Sequence, residues 1–191
     1  MIGKLLNLTW YQLCWLACCL GAGRGLVWLG PVCVAVLTVL HLWFVARDRT
    51  REAIMLAVAA VFGYLVDSGI VLTGFLDFPD QARLGGPSTI WMVALWVAFA
   101  TTLHGFFGFL RNRYVLAGVI GLLTGGPAYY IGSRIDAVTL PRGDLIGTVV
   151  VSLVWLVALP ALVWLADRTW PRDALDAPSS TSATTPKEQL A

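Results

Sequence analysis

Asp67 lies inside an otherwise apolar run, FGYLVDSGIVL at 62–72. A carboxylate at that depth in hydrocarbon costs about 2.5–3.5 kcal/mol on insertion scales, so such a residue faces a bundle interior or a wet cavity. There it can carry a proton, act as a general base or bind a cation. The competing reading is a structural partner for a hydroxyl or arginine on a neighbouring helix. Ala60, Gly63, Asp67 and Gly74 recur at i, i+3, i+7 and i+14. They form one narrow face of small residues, suited to close helix packing.

Thr101 and Thr102 fall at about the depth of Asp67 on the next antiparallel segment, where their hydroxyls can donate to it. His104 lies roughly 8 Å further along the membrane normal at 1.5 Å per residue. A direct Asp–His dyad is therefore not expected, but a relay through water or Thr101 stays open. Histidine is the side chain that titrates near neutral pH; the competing reading of His104 is a hydrogen-bonded packing residue. Asp67, His104 and Thr101 are the catalytic candidates.

Gly125-Gly126-Pro127 should distort its helix, because proline removes a backbone donor and its ring clashes with a preceding carbonyl. Carbonyls exposed at a broken helix can coordinate ions or substrates; a kink repaired by neighbouring helices is the alternative. Tyr129 and Tyr130 follow, toward the outer interface. Gln12 lies at about the depth of His104 and can pair with it. Arg24 can snorkel outward or fold inward toward Asp67. Gly125, Gly126, Tyr129, Gln12 and Arg24 are thus the candidates for binding a substrate or ion. His41 lies near the cytoplasmic interface and is expected to be solvated or part of an interfacial belt. Asp167 and Arg168 read as a charge pair at the membrane edge.

Cys14 and Cys18 share a helical face, and free cysteine packs as a small hydrophobe. Neither a CxxC pair nor a Cys/His spacing suited to zinc occurs. There is no phosphate-binding loop, nucleophile elbow, HExxH or dinucleotide fingerprint. No metal and no cofactor are therefore expected.

The elements that must position these residues follow from composition. The chain of 191 residues is 58% hydrophobic and 13% charged, with a mean hydropathy of +0.77. A soluble domain carries about 25% charged residues. Apolar stretches at 5–23, 26–46, 54–76, 90–110, 114–132 and 145–166 approach or reach the ~20 residues of a membrane span. They are continuous rather than alternating, which predicts helices and not a β-barrel. The expected fold class is all-α, a polytopic membrane bundle of six transmembrane helices.

With the N-terminus inside, Lys4, Arg47, Arg49, Arg51, Arg111, Arg113, Arg168 and Arg172 share the inner side. Arg24, Arg83, Arg134 and Arg142 fall outside. This excess predicts both termini cytoplasmic. The first stretch also has the outline of a cleaved signal peptide, but Asn7, Thr9 and Gln12 interrupt its apolar core. Residues 1–170 read as one transmembrane domain. Residues 171–191, with APSSTSATTP at 177–186, read as a disordered cytoplasmic tail. Most of the nine tryptophans fall near span ends as an interfacial belt; Trp15, Trp96 and Trp155 lie deeper. The net charge of +2 and the lack of a basic stripe give no reason to expect nucleic acid.

Several landmarks resemble a known family. They are Tyr11-Gln12-Leu13-Cys14-Trp15, Leu20-Gly21-Ala22-Gly23, Val66-Asp67-Ser68, WVAFATTL at 96–103, and Gly125-Gly126-Pro127-Ala128-Tyr129-Tyr130. In order and spacing, over residues 5 to about 167, they resemble the bacterial family called domain of unknown function 2878. The resemblance implies a small bacterial inner (cytoplasmic) membrane protein, multi-pass, with no established activity. It tilts expectation slightly toward membrane fatty-acid chemistry.

Three functions remain open from the residues. One is a role in, or assistance to, envelope lipid modification around Asp67. The second is a small proton-coupled transporter or flippase; the third is a structural assembly protein. The expected partners are membrane lipids, with a homodimer or a partner membrane enzyme as further options.

Overall fold

The computed structural model describes residues 2–169, the side chain of Ile2 excepted. The sequence expected to form a tail, 171–191, lies outside the described residues, and so does Trp170. Within them the fold is all-helical, with α1 Ile2–Gly23, α2 Leu29–Phe44, α3 Arg49–Leu72, α4 Ile90–Ala100, α5 Tyr114–Ser133 and α6 Asp144–Thr169.

Four of these helices, α1, α3, α5 and α6, are long and apolar enough to cross a membrane. Their outward faces are hydrocarbon: Leu72, Val115 and Leu145 are 77%, 85% and 79% exposed. Apolar surface on this scale marks contact with lipid or protein rather than water. α2 has 16 residues and α4 only 11. At 1.5 Å per residue α4 is roughly 16 Å long, about half the ~30 Å hydrocarbon core.

The fourth apolar stretch is therefore not the single helix expected over 90–110. α4 stops at Ala100, and the chain continues through turns into a 3-10 helix, Phe106–Leu110. The cause is local. Thr101 Oγ1 donates to the Ala98 carbonyl at 2.7 Å and Thr102 Oγ1 to the Phe99 carbonyl at 2.5 Å. Threonine hydroxyls that bond back onto the helix compete with its ladder. Gly105, at φ −96° and ψ −103°, then leaves the helical region. Asn7 of α1 fills the break. Its Nδ2 donates to the Thr101 carbonyl, and its Oδ1 accepts from the Phe106 backbone N–H, both at 3.1 Å. Backbone groups released inside a bundle need such partners.

The expected break at Gly125-Gly126-Pro127 is absent: α5 runs through Pro127 to Ser133. The glycines instead bring two backbones together. Gly121 lies against the Trp155 carbonyl, and Gly126 against the Thr148 carbonyl and Ser152 Oγ of α6. Small residues permit this approach in membranes, where packing rather than hydrophobicity drives association. Pro127 sits on the exposed side of α5, so its ring does not obstruct the seam.

α5 pairs most closely with α6, and α6 also touches α3; α4 lies among α1, α2 and α3. Successive helices run antiparallel. One end of the bundle gathers the starts of α1, α3 and α5 with the ends of α2 and α6, joined by hydrogen bonds from Asn7, Glu52, His104 and Asp167. At the other end the connections pair with each other. Asp77 and Thr139 exchange backbone hydrogen bonds, and Arg83 bridges to Asp77 at 2.7 Å. The α1–α5 side differs, because the two helices line opposite walls of a groove there.

Candidate functional site

Asp67 is 0% exposed. Both its oxygens are engaged: Trp96 Nε1 donates to Oδ2 at 2.6 Å and the Tyr129 hydroxyl to Oδ1 at 2.5 Å. An indole N–H can only donate, so Oδ2 is an acceptor in this arrangement. The local sequence explains why the indole fits. Gly63, one turn before Asp67 on α3, has no Cβ and leaves its place to the Trp96 ring. On the other side Trp96 stacks on Trp155 at 4.8 Å and 8°. Buried Trp155 Nε1 lies beside the Tyr129 hydroxyl without a well-formed hydrogen bond. Four helices thus contribute one residue each: Asp67 from α3, Trp96 from α4, Tyr129 from α5 and Trp155 from α6.

A cavity of about 50 Å³ opens beside this group, with Tyr11, Trp15 and Cys19 of α1, Trp91, Trp96 and Phe99 of α4, and Tyr129 among its walls. At roughly 10–15 Å³ per water, it holds a few small heavy atoms. Asp67 is not on the wall; it stands behind Tyr129 and Trp96. The cavity shares Tyr11, Trp15, Phe99, Ala128 and Trp155 with a groove of about 460 Å³ on the α1–α5 face. Gln12, Thr124 and Gly125 line that groove. The groove thus adjoins an aromatic chamber, and Tyr129, one of the chamber's walls, is hydrogen-bonded to Asp67.

A second cluster sits at the end that carries the N-terminus. Glu52 Oε1 meets His41 Nε2 at 3.0 Å, and Oε2 meets His104 Nδ1 at 2.6 Å. His104 Nε2 lies 3.0 Å from the Ala166 carbonyl. A carbonyl only accepts, so Nε2 carries a hydrogen, while Nδ1 faces a carboxylate. The imidazole thereby ties α3 to α6, and His41 ties in α2. These groups bond to one another; among the described residues no set of three or more His, Cys, Asp or Glu is disposed to hold a metal.

The sequence-derived candidates divide accordingly. Asp67 and Tyr129 come together. Thr101 and Thr102 do not reach Asp67, because their hydroxyls turn back onto α4 carbonyls. His104 reaches Glu52 and not Gln12, which is exposed in the groove. His41, expected to be solvated or part of an interfacial belt, is 5% exposed. Arg24 is exposed and does not fold toward Asp67. Gly125 borders both Trp155 and the groove, whereas Gly126 is packed on α6. Asp167 accepts from the Tyr114 hydroxyl at 2.9 Å and the Asn112 N–H at 3.1 Å. Arg168 lies over the Trp164 ring at 4.3 Å instead of pairing with it.

Glu52 was missed because it closes a charged run, Arg47-Asp48-Arg49-Thr50-Arg51-Glu52, that reads as a solvated loop. Its signal is position: Asp48 caps α3 by accepting from the Arg51 N–H at 3.1 Å, which turns Glu52 inward in the first turn. Trp96 and Trp155 were visible only as tryptophans too deep for a belt.

Residues 4–161 match the family described as Protein of unknown function (DUF2878). The chain belongs to this family. The match spans every residue of the Asp67 group and Glu52, His41 and His104, and stops within α6. No curated protein and no solved structure matches the chain.

Proposed function

We propose that the protein is a multi-pass inner-membrane protein that takes a lipidic molecule from the bilayer through the α1–α5 groove and presents its end to Tyr129. The observation that carries this reading is that groove and chamber adjoin, with Tyr11, Trp15 and Phe99 lining both. A chain of CH₂ groups suits the groove, and about 0.8 kcal/mol per buried CH₂ favours its transfer only from water. From a bilayer the selectivity must come from the chamber, where Tyr129 offers an oxygen whose proton is held by Asp67. In this arrangement Tyr129 faces the ligand and Asp67 is a positioning residue. The role in the cell is envelope lipid modification, either directly or by handing the lipid to a partner membrane enzyme. All six helices are embedded, α4 with its 3-10 continuation making the fourth crossing, and both termini are cytoplasmic.

Comparison of lipid extracts from cells with and without the gene tests the role. Purified protein, stripped and analysed by mass spectrometry, tests the binding. The expected result is a lipid species that changes in the deletion strain and co-purifies with the wild type. It is restored by the wild-type gene and less well by the Tyr129→Phe variant. An unchanged lipidome together with no retained lipid would remove the proposal.

One observation favours a structural reading instead: both Asp67 oxygens already have partners. In that case Asp67→Asn lowers the melting temperature while cellular lipids stay unchanged.

A further inference from the structure

We infer that the chamber recognises a methylated or quaternary ammonium group carried on an apolar chain. This inference names the ligand class for the groove-and-chamber reading above and rests on it.

The charge balance comes first. The lining of the chamber and of the groove contains no lysine, arginine or histidine. The Asp67 carboxyl lies one hydrogen bond behind the Tyr129 and Trp96 walls. Its partners there are neutral donors, so it has no countercharge within the group. An anionic head group placed in the chamber would find nothing cationic in its walls. A cation would meet the aromatic rings and, behind Tyr129 and Trp96, the oxygens of the Asp67 carboxyl.

The walls decide which cation. Tyr11, Trp15, Trp91, Trp96, Phe99, Tyr129 and Trp155 are among the residues that line the space. Aromatic rings attract cations through their quadrupole, and cages of this kind are the recurrent way to hold quaternary ammonium groups. A primary ammonium carries three donors that need acceptors. Here the oxygen-bearing side chains of the lining are Tyr11 and Tyr129, and the Tyr129 hydroxyl is already bonded to Asp67. A trimethylammonium needs no acceptor. Its size also fits: about 50 Å³ corresponds to roughly three to five water positions, comparable with its four heavy atoms. The chain attached to it lies in the groove.

Intrinsic tryptophan fluorescence reports occupancy, because the chamber is built from tryptophans. The protein, full length in nanodiscs of uncharged galactolipid, is titrated with dodecyltrimethylammonium, with the hydrocarbon in which carbon replaces the nitrogen, and with dodecyl sulfate. The expected order is cation tightest, by about tenfold or more over the neutral isostere (roughly 1.4 kcal/mol), with the sulfate weakest. The preference should shrink in Asp67→Asn. Because that variant can misfold, the wild-type comparison of cation with isostere decides by itself. Displacement of the bound probe by chained cations alone supports the inference and assigns a lipid head group as the source. Displacement at equal concentration by free tetramethylammonium would show that the apolar chain adds nothing and would overturn the chained ligand. Equal affinity for cation and isostere overturns the inference and leaves the groove reading standing; no saturable binding by any of the three overturns both.

Discussion

Gly63 of α3 and Trp96 of α4 are in direct contact, with the indole occupying the space where a Cβ on Gly63 would stand. That contact places the indole nitrogen on Asp67 and the indole face on Trp155. Gly63→Ala should therefore push the ring off both partners. Over-packing of this kind costs about 1–3 kcal/mol. A lowered melting temperature in detergent, together with a shifted tryptophan emission, would register it. Gly69→Ala on the same helix is the control: a Cβ there meets nothing within 4 Å, and the melting temperature should stay the same or rise slightly.

The Tyr129–Asp67 bond should behave as an energetic unit. Tyr129→Phe keeps the ring and deletes one donor; Asp67→Asn keeps the shape and weakens the acceptor. Contacting residues in one network couple by about 0.5–3 kcal/mol. A double-mutant cycle on unfolding free energies should return a coupling in that range. Strict additivity would mean that the two side chains do not bond in the membrane-embedded protein.

Glu52 joins three segments of chain through His41 and His104. Removing one partner of a buried pair costs about 3–5 kcal/mol, because the other is left uncompensated. Glu52→Ala is expected to lose that much stability. Glu52→Gln, which retains one acceptor, should lose less. Equal and small effects from both substitutions, read by thermal melts, would show that the cluster is not formed.

Asn7 satisfies the Thr101 carbonyl and the Phe106 N–H at the break in the fourth stretch. Asn7→Leu fills similar space and satisfies neither, at about 1–3 kcal/mol per orphaned buried group. Amide hydrogen exchange over 101–108 should accelerate locally, with α5 and α6 unaffected. Protection unchanged over that segment would show that the break does not depend on Asn7.

The interhelical seam gives a last case. Gly121 faces the Trp155 carbonyl, so Gly121→Leu must separate α5 from α6. It should displace Trp155 and with it the stack on Trp96. Loss of folded protein in size-exclusion chromatography, or a strongly lowered melting temperature, is the expected outcome.

Much of the helical framework was legible from the residues because lipid-facing helices need long apolar runs, and runs are one-dimensional. The runs at 114–132 and 145–166 became α5 and α6 with ends within a few residues. Burial of Asp67 was legible for the same reason, since a carboxyl in such a run must turn inward. The break after Ala100 was not legible. Threonine and glycine are tolerated in membrane helices, and only the nearby Asn7 makes leaving the helix affordable. The Gly-Gly-Pro stretch left both a broken helix and a packing role open, and residues alone could not choose, because its glycines answer to the α6 backbone rather than to their own helix.

Composition and apolar periodicity alone determined an all-helical, hydrocarbon-clad chain with one acid held inside it. Tertiary structure alone decided which groups that acid meets, because Asp67, Trp96, Tyr129 and Trp155 come from four helices separated by as many as 62 residues between bonded pairs. It also decided that His104 pairs with Glu52 rather than with Gln12. Hydrophobic patterning sets which way a helix face points. Partners across helices are set by interhelical contacts of a few ångströms, and in this protein those depend on where glycine lets two backbones or a ring come close.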